Sequence, residues 1–294
     1  MELKVVGSKP LSEAAFLSGE GPDRLMIDAT MLTFACPLDL AGIVATAHWA
    51  SSDAIPVTLR LPHNLDMASY LQRMDVLRRM PPRTQILGRV PPDARADHRG
   101  SLMEVTPLDE KNVDDLLERL GPLITSFYGG QADAGAVVFR ACSELMGNAT
   151  EHGVSEHGAF IAVQLHSGST TADKRLEFAV CDTGVGVMNH LRSNPKYEYL
   201  TRDELAIAKA MEPGVSGIKA DLRGNGLSDA IEQTRHFGRV DFQIRSGRGE
   251  VRVKGHPEGH SERQLSRPDQ TSGTWAWLTH RLPAPSETVI QSSK

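Results

Sequence analysis

The chain has 294 residues, 40% hydrophobic and 23% charged, with a formal net charge of -5 at pH 7. This allows one large or two ordinary domains with a sizeable core, and gives no general attraction to nucleic acid or an anionic membrane. Neither a signal peptide nor a bilayer-spanning apolar run is present, Cys36, Cys142 and Cys181 are too few for a disulfide framework, and the eleven histidines, His152 and His157 included, lack metal-ligand spacing. A cytoplasmic protein with no nucleic-acid or membrane partner is expected.

Residues 1–105 read as a small α/β module. Leu25–Ile27 and Met31–Phe34 are predicted short strands. Pro37 suits a first helical position and opens a helix through Trp49. Val57–Leu61 alternates like a strand that stops at Pro62, and a second helix carries Met67, Tyr70, Leu71 and Met74 on one face. The Pro-rich, charged stretch Arg89–Gly100 is predicted to be a loop. None of these residues has catalytic spacing, so the segment reads as packed structure.

Thr106-Pro107-Leu108-Asp109 offers an N-cap, a proline at N1 and an acid in the first turn. Val113, Leu116, Leu117, Leu120 and Leu123 then recur at helical spacing up to Gly129-Gly130. The next predicted helix, residues 134–152, has a core stripe of Val138, Ala141, Cys142, Leu145 and Ala149. Arg140, Glu144, Asn148 and His152 recur every fourth residue on an adjacent face. Two readings fit that face. Arg140 and Glu144 can be an ion pair beside a solvated Asn148; or Glu144 holds a water or hydroxyl while Asn148 offers a carbonyl oxygen to a hard cation such as Mg²⁺.

Ala159–Leu165 and residues 175–181 read as strands joined by the polar turn Ser167–Asp173. The second leads into Asp182-Thr183-Gly184-Val185-Gly186, a carboxylate at a strand end followed by glycines that admit close backbone approach; ordinary turn chemistry has the same look. Residues 187–223 lack a strand pattern. Thr201-Arg202-Asp203-Glu204 is a predicted capping box for a helix to Ala210, and the remainder, with Gly214, Gly217, Lys219 and Arg223, reads as a lid or a surface loop. Gly224-Asn225-Gly226-Leu227 opens a helix through Thr234 and leaves free N–H groups suited to a phosphate; a plain glycine cap is the alternative. Val240–Ile244 and Glu250–Val253 are predicted as a hairpin about Ser246-Gly247-Arg248-Gly249, residues 255–272 as a polar insertion, and Gly273–Thr279 as the closing strand. The tail, residues 285–294, is expected to be disordered.

Glu144-x3-Asn148 on a helix, Asp182-x-Gly184-x-Gly186 after a strand, Gly224-x-Gly226-Leu227 opening a helix and Gly273-Thr274 starting a strand occur in an order that resembles the GHKL ATPase superfamily over residues 106–283. The resemblance implies an α+β two-layer sandwich, the Bergerat-type ATP-binding fold, over residues 106–284. It also implies ATP and Mg²⁺ as cofactors. By resemblance Asp182 accepts the adenine amino group, with Thr274 supporting it through water; Gly184 and Gly186 pass close to base and ribose; Asn148 ligates Mg²⁺; Gly224, Asn225, Gly226 and Leu227 bring N–H groups to the phosphates; and Glu144 is the general base. The short phosphate box preceded by Arg223 departs from the family pattern.

Residues 1–105 lack the phosphoacceptor hairpin of a sensor histidine kinase, and the chain after Pro283 is too short for a transducer domain. Asn148-Ala149-Thr150-Glu151-His152-Gly153 is most similar to the anti-sigma-factor serine kinases. Phe34, Pro37-Leu38 and Leu61-Pro62…Tyr70-Leu71-Gln72-Arg73-Met74 resemble a STAS-like segment. The resemblance therefore implies a serine/threonine protein kinase or slow ATPase acting on a protein partner, such as a sigma factor or an anti-sigma antagonist. A non-catalytic ATP-dependent switch is the alternative. Related kinases are commonly homodimers; the sequence leaves this chain's oligomeric state open.

Overall fold

Helix α1, Pro37–Ser52, joins the two halves of the chain. It is apolar on every side and buried from Pro37 to Ala47 and at Ala50, so it must be covered all round. Pro37 sits at its start, and the Asp39 carboxylate accepts the Cys36 N–H (2.9 Å), satisfying one donor the helix leaves open. The computed structural model describes residues 2–4, 23–93, 100–151, 158–167, 174–215 and 226–282.

On one side of α1 lies a parallel sheet, with strands β1 (Glu2–Lys4), β2 (Leu25–Asp28), β3 (Val57–Arg60) and β4 (Gln85–Leu87) in sequential order. Helix α2, Leu65–Arg73, is capped by Asn64 Oδ1, which accepts N–H groups from Asp66 and Met67, and α3 spans Val76–Arg79. Met31–Phe34 is not a strand; only Leu32 makes an isolated bridge. β4 escaped prediction because three residues carry too little periodicity.

The other side of α1 packs on an antiparallel sheet of β5 (Leu102–Leu108), β6 (Ala159–His166), β7 (Arg175–Asp182), β8 (Arg239–His256) and β9 (Gly259–Arg281), ordered β5-β6-β7-β9-β8. The protein is thus mixed α/β, with a five-stranded antiparallel sheet and helices against it. Helices α4 (Val113–Tyr128), α5 (Ala132–Glu151) and α8 (Gly226–Arg235) pack with its far face. Alternation along β7 decides the faces. Leu176, Phe178 and Val180 join the core with α4 and α5, whereas Ala179 and Cys181 join the core built on α1.

Several expectations are corrected. Thr106-Pro107 does not cap a helix; both residues lie in β5, opposite Ile161 and Phe160. β5 is an edge strand, where proline's missing N–H costs no ladder bond. The boundary expected between residues 105 and 106 falls inside this strand.

Ser246-Gly247-Arg248-Gly249 is not a hairpin turn. β8 runs through it with a register shift, and the residues expected as a 255–272 insertion form the outer part of one long β8–β9 hairpin. The glycines serve packing. A Cβ on Gly247 would lie 2.5 Å from the Asp203 carboxylate. The strand also bends, since Gln243 Nε2 donates to Glu250 Oε1 (3.0 Å) seven residues along the same strand, a separation of about 23 Å if straight.

Residues 187–215 carry helical structure, including the helix expected to reach Ala210. Helix α6 (Gly186–Arg192), a 3₁₀ turn (Pro195–Tyr197) and α7 (Asp203–Ala210) enclose Leu191, Tyr197, Leu200 and Ala206. The Thr201 capping box does not form. Arg202 takes the N-cap place without a side-chain bond and its guanidinium pairs with Glu204, while Asp203 accepts the Arg248 N–H of β8 (2.8 Å). Tertiary partners outcompete the local cap. Gly217, Lys219, Arg223, His152, His157 and the tail lie outside the described residues.

Candidate functional site

Asp182 ends β7 on the face shared with Val180 and Phe178, toward the helical layer. It is 3% exposed. Its Oδ1 accepts two backbone N–H groups, from Gly184 (2.8 Å) and Thr274 (3.1 Å). No described residue donates to Oδ2. Burial strips water from the carboxylate and raises its pKa from 3.8 to about 6, against the opposing pull of the two N–H donors.

Two glycines make this arrangement possible. Gly273 has φ +68° and lies so close to Asp182 that a Cβ would overlap its carbonyl and its Oδ1. Gly186 has φ +76°, and a Cβ there would lie 2.7 Å from Ser246 Oγ. Ser246 itself was missed by sequence reasoning. Its hydroxyl donates to the Gly273 carbonyl (2.9 Å) and accepts the Val187 N–H (2.9 Å), tying the start of α6 to β9. A serine beside glycines reads as turn chemistry, so no local signal marked it.

The structure therefore brings Asp182, Gly184, Gly186 and Thr274 together. Thr274 supports Asp182 directly, through its own backbone N–H. Glu144, half-buried, and Asn148, exposed, stand on α5 as the spacing predicted, and the stripe of Val138, Ala141, Cys142 and Leu145 is buried beneath them. α5 packs against α8 and against β7 and β9, the strands that carry Asp182 and Thr274. Gly226 begins α8 and Leu227 packs on the helical-layer core, whereas Gly224 and Asn225 lie outside the described residues. Among the described residues no three His, Cys, Asp or Glu side chains form a metal cluster, and no helix is long and apolar enough to cross a membrane.

Chemically, a buried carboxylate held through one oxygen presents the other to a hydrogen-bond donor in fixed geometry. Glu144 and Asn148 bring a carboxyl and an amide side chain to one helix face. Compared with known protein families and with curated proteins, the chain matches none.

Proposed function

We propose that this chain is a Mg-ATP-binding regulatory protein with a GHKL-type, Bergerat-like site, behind a STAS-like N-terminal segment. It works in the cytoplasm as a serine/threonine protein kinase or slow ATPase acting on a partner protein such as a sigma factor or its antagonist. The observation that carries the reading is Asp182: a desolvated carboxylate at a strand end, fixed through Oδ1 by two backbone donors, with Oδ2 left for a ligand amino group. That donor demand fits the amino edge of adenine.

When bound, Mg-ATP supplies the transferable phosphoryl group. Asp182 accepts the adenine amino hydrogen, and Gly184 and Gly186 permit backbone to approach base and ribose. Asn148 would offer Mg²⁺ one oxygen, and the metal would neutralise phosphate charge, since Mg²⁺ is commonly bound by few protein ligands. The resemblance would give Gly224 to Leu227 the role of bringing N–H groups to the phosphates, and Glu144 would orient a water or a partner's hydroxyl.

One observation favours the switch alternative. α6 begins at Gly186, inside the glycine motif, and α7 packs on β8, so a ligand at Asp182 touches a lever between site and hairpin. Incubation with γ-labelled ATP and candidate partners separates the readings. Label on a partner marks a kinase, and free phosphate marks an ATPase. Glu144→Ala should lower turnover about 100-fold or more while Mg-ATP affinity stays within about twofold. Binding without turnover leaves the switch, and no calorimetric binding of Mg-ATP sinks both.

A further inference from the structure

On the sheet face opposite Asp182, beyond the cover of α1, an open cleft of about 320 Å³ lies between Phe34 and Cys36 and strands β7, β8 and β9. Its size is at the small end of the ligand-pocket range, about 300–1,000 Å³. Arg175, Arg252, Lys254 and Arg281 line it against only two carboxylates, Glu177 and Asp241. The lining charge is positive.

Five buried polar atoms on the cleft's residues have no hydrogen-bond partner: Arg175 Nε, which makes an ion pair only, Glu177 Oε2, Trp277 Nε1, Thr279 Oγ1 and Arg281 Nε. The Glu177 side chain is only 4% exposed, and its other oxygen is held by Arg175 Nε at 2.7 Å. Arg252 is engaged by Glu250. Arg281 Nε has no hydrogen-bond partner, and Lys254 is exposed with no ion pair among the described residues. Buried polar atoms are normally satisfied, so an acceptor, two potential donors, Arg281 beside Glu177 and the exposed Lys254 around one cleft form a set that a ligand would complete.

We propose that this cleft is a second ligand site, for a small organic anion that also carries a hydroxyl or amino donor. The acid group pairs with Arg281 and Lys254 and accepts from Trp277 Nε1 and Thr279 Oγ1; the donor serves Glu177 Oε2. None of the residues named for nucleotide contact takes part, so this site stands apart from the nucleotide reading.

The test titrates the full chain with citrate, L-glutamate and glucose 6-phosphate, and with ribitol as the uncharged control. Calorimetry reads binding, and tryptophan fluorescence reports on Trp277. At least one anion should bind saturably and ribitol should not; the responding compound distinguishes a carboxylate from a phosphate ligand. Thr279→Val removes an unpartnered hydroxyl and Lys254→Ala alters an exposed side chain, so both variants keep the fold. Each should weaken the bound anion about fivefold to tenfold, while Asp182→Asn leaves it unchanged. Saturable binding by none of the three anions, ribitol binding as tightly as they do, or unchanged affinity in both cleft variants overturns the proposal.

Discussion

Asp182 and Glu177 lie on the same strand, face opposite sides of the sheet, and are both nearly buried. Their surroundings differ in kind. Asp182 is held by backbone N–H groups on a single oxygen; Glu177 is held by the Arg175 side chain with one oxygen left over. Burial raises both pKa values, but Arg175 and Arg281 pull Glu177 back down, whereas Asp182 has only neutral dipoles. A backbone donor cannot move without moving its turn, so Asp182 is a fixed acceptor suited to one ligand edge. A guanidinium on a flexible stem can rearrange, so Glu177 sits in a site that can adapt.

The sharpest way to break this contrast is Gly273→Ala. The added Cβ would overlap Asp182, and φ there is +68°, so a loss of about 3 kcal/mol or more is expected from strain and clash. A wild-type urea midpoint would show that the glycine backbone does not set Asp182.

Next in size is Asp182→Asn, with the opposite sign. Asp182 keeps its proton up to about pH 6 when folded but loses it near 3.8 when unfolded. The folded state therefore binds the extra proton in that window, and stability falls as pH rises through it by up to about 3 kcal/mol. The amide retains an Oδ1 acceptor for both N–H donors, so the variant should be more stable than wild type at pH 7 while its Mg-ATP affinity drops about tenfold or more. Equal midpoints at pH 7 would mean that the carboxylate is not desolvated.

The pH profile sharpens the same point through His280. This fully buried imidazole, whose Nδ1 is 2.5 Å from the Tyr128 hydroxyl, has its pKa lowered by burial from 6.5 to about 4. Between those values the unfolded chain takes up a proton that the folded chain refuses, so His280 makes stability rise with pH where Asp182 makes it fall. The two oppose each other between about pH 4 and 6. Removing the carboxylate in Asp182→Asn should leave a steeper upward slope in urea midpoints measured from pH 4 to 7; identical slopes would remove Asp182 from the account.

The smallest effect belongs to the other face. Thr279→Val replaces a buried, unpartnered hydroxyl by a methyl, so stability without ligand should change by less than about 1 kcal/mol, or rise slightly. A loss of several kcal/mol by thermal unfolding would show that the hydroxyl already has an internal partner.

Much of this was legible locally because burial leaves a periodic trace. The Val138–Cys142–Leu145 stripe placed Glu144 and Asn148 on the neighbouring face of α5, the apolar run after Arg175 placed Asp182 at a strand end, and Pro37 marked the start of α1. Periodicity also misled. Thr106-Pro107-Leu108-Asp109 has every mark of a helix start, yet pairing with β6 holds Thr106, Pro107 and Leu108 in a strand.

Sequence alone determined most of the buried stripe on each periodic helix, and that a carboxylate would stand before two glycines. Only the tertiary structure decided what meets that carboxylate. The Thr274 N–H arrives from ninety-two residues away, and Ser246 locks the turn from β8. The glycines at 247 and 249 turned out to admit α7 rather than reverse the chain. The physical reason is that a residue's periodicity records how it relates to solvent, while the pairing of distant strands is set by the whole sheet. A glycine has no side chain to say which neighbour required its absence.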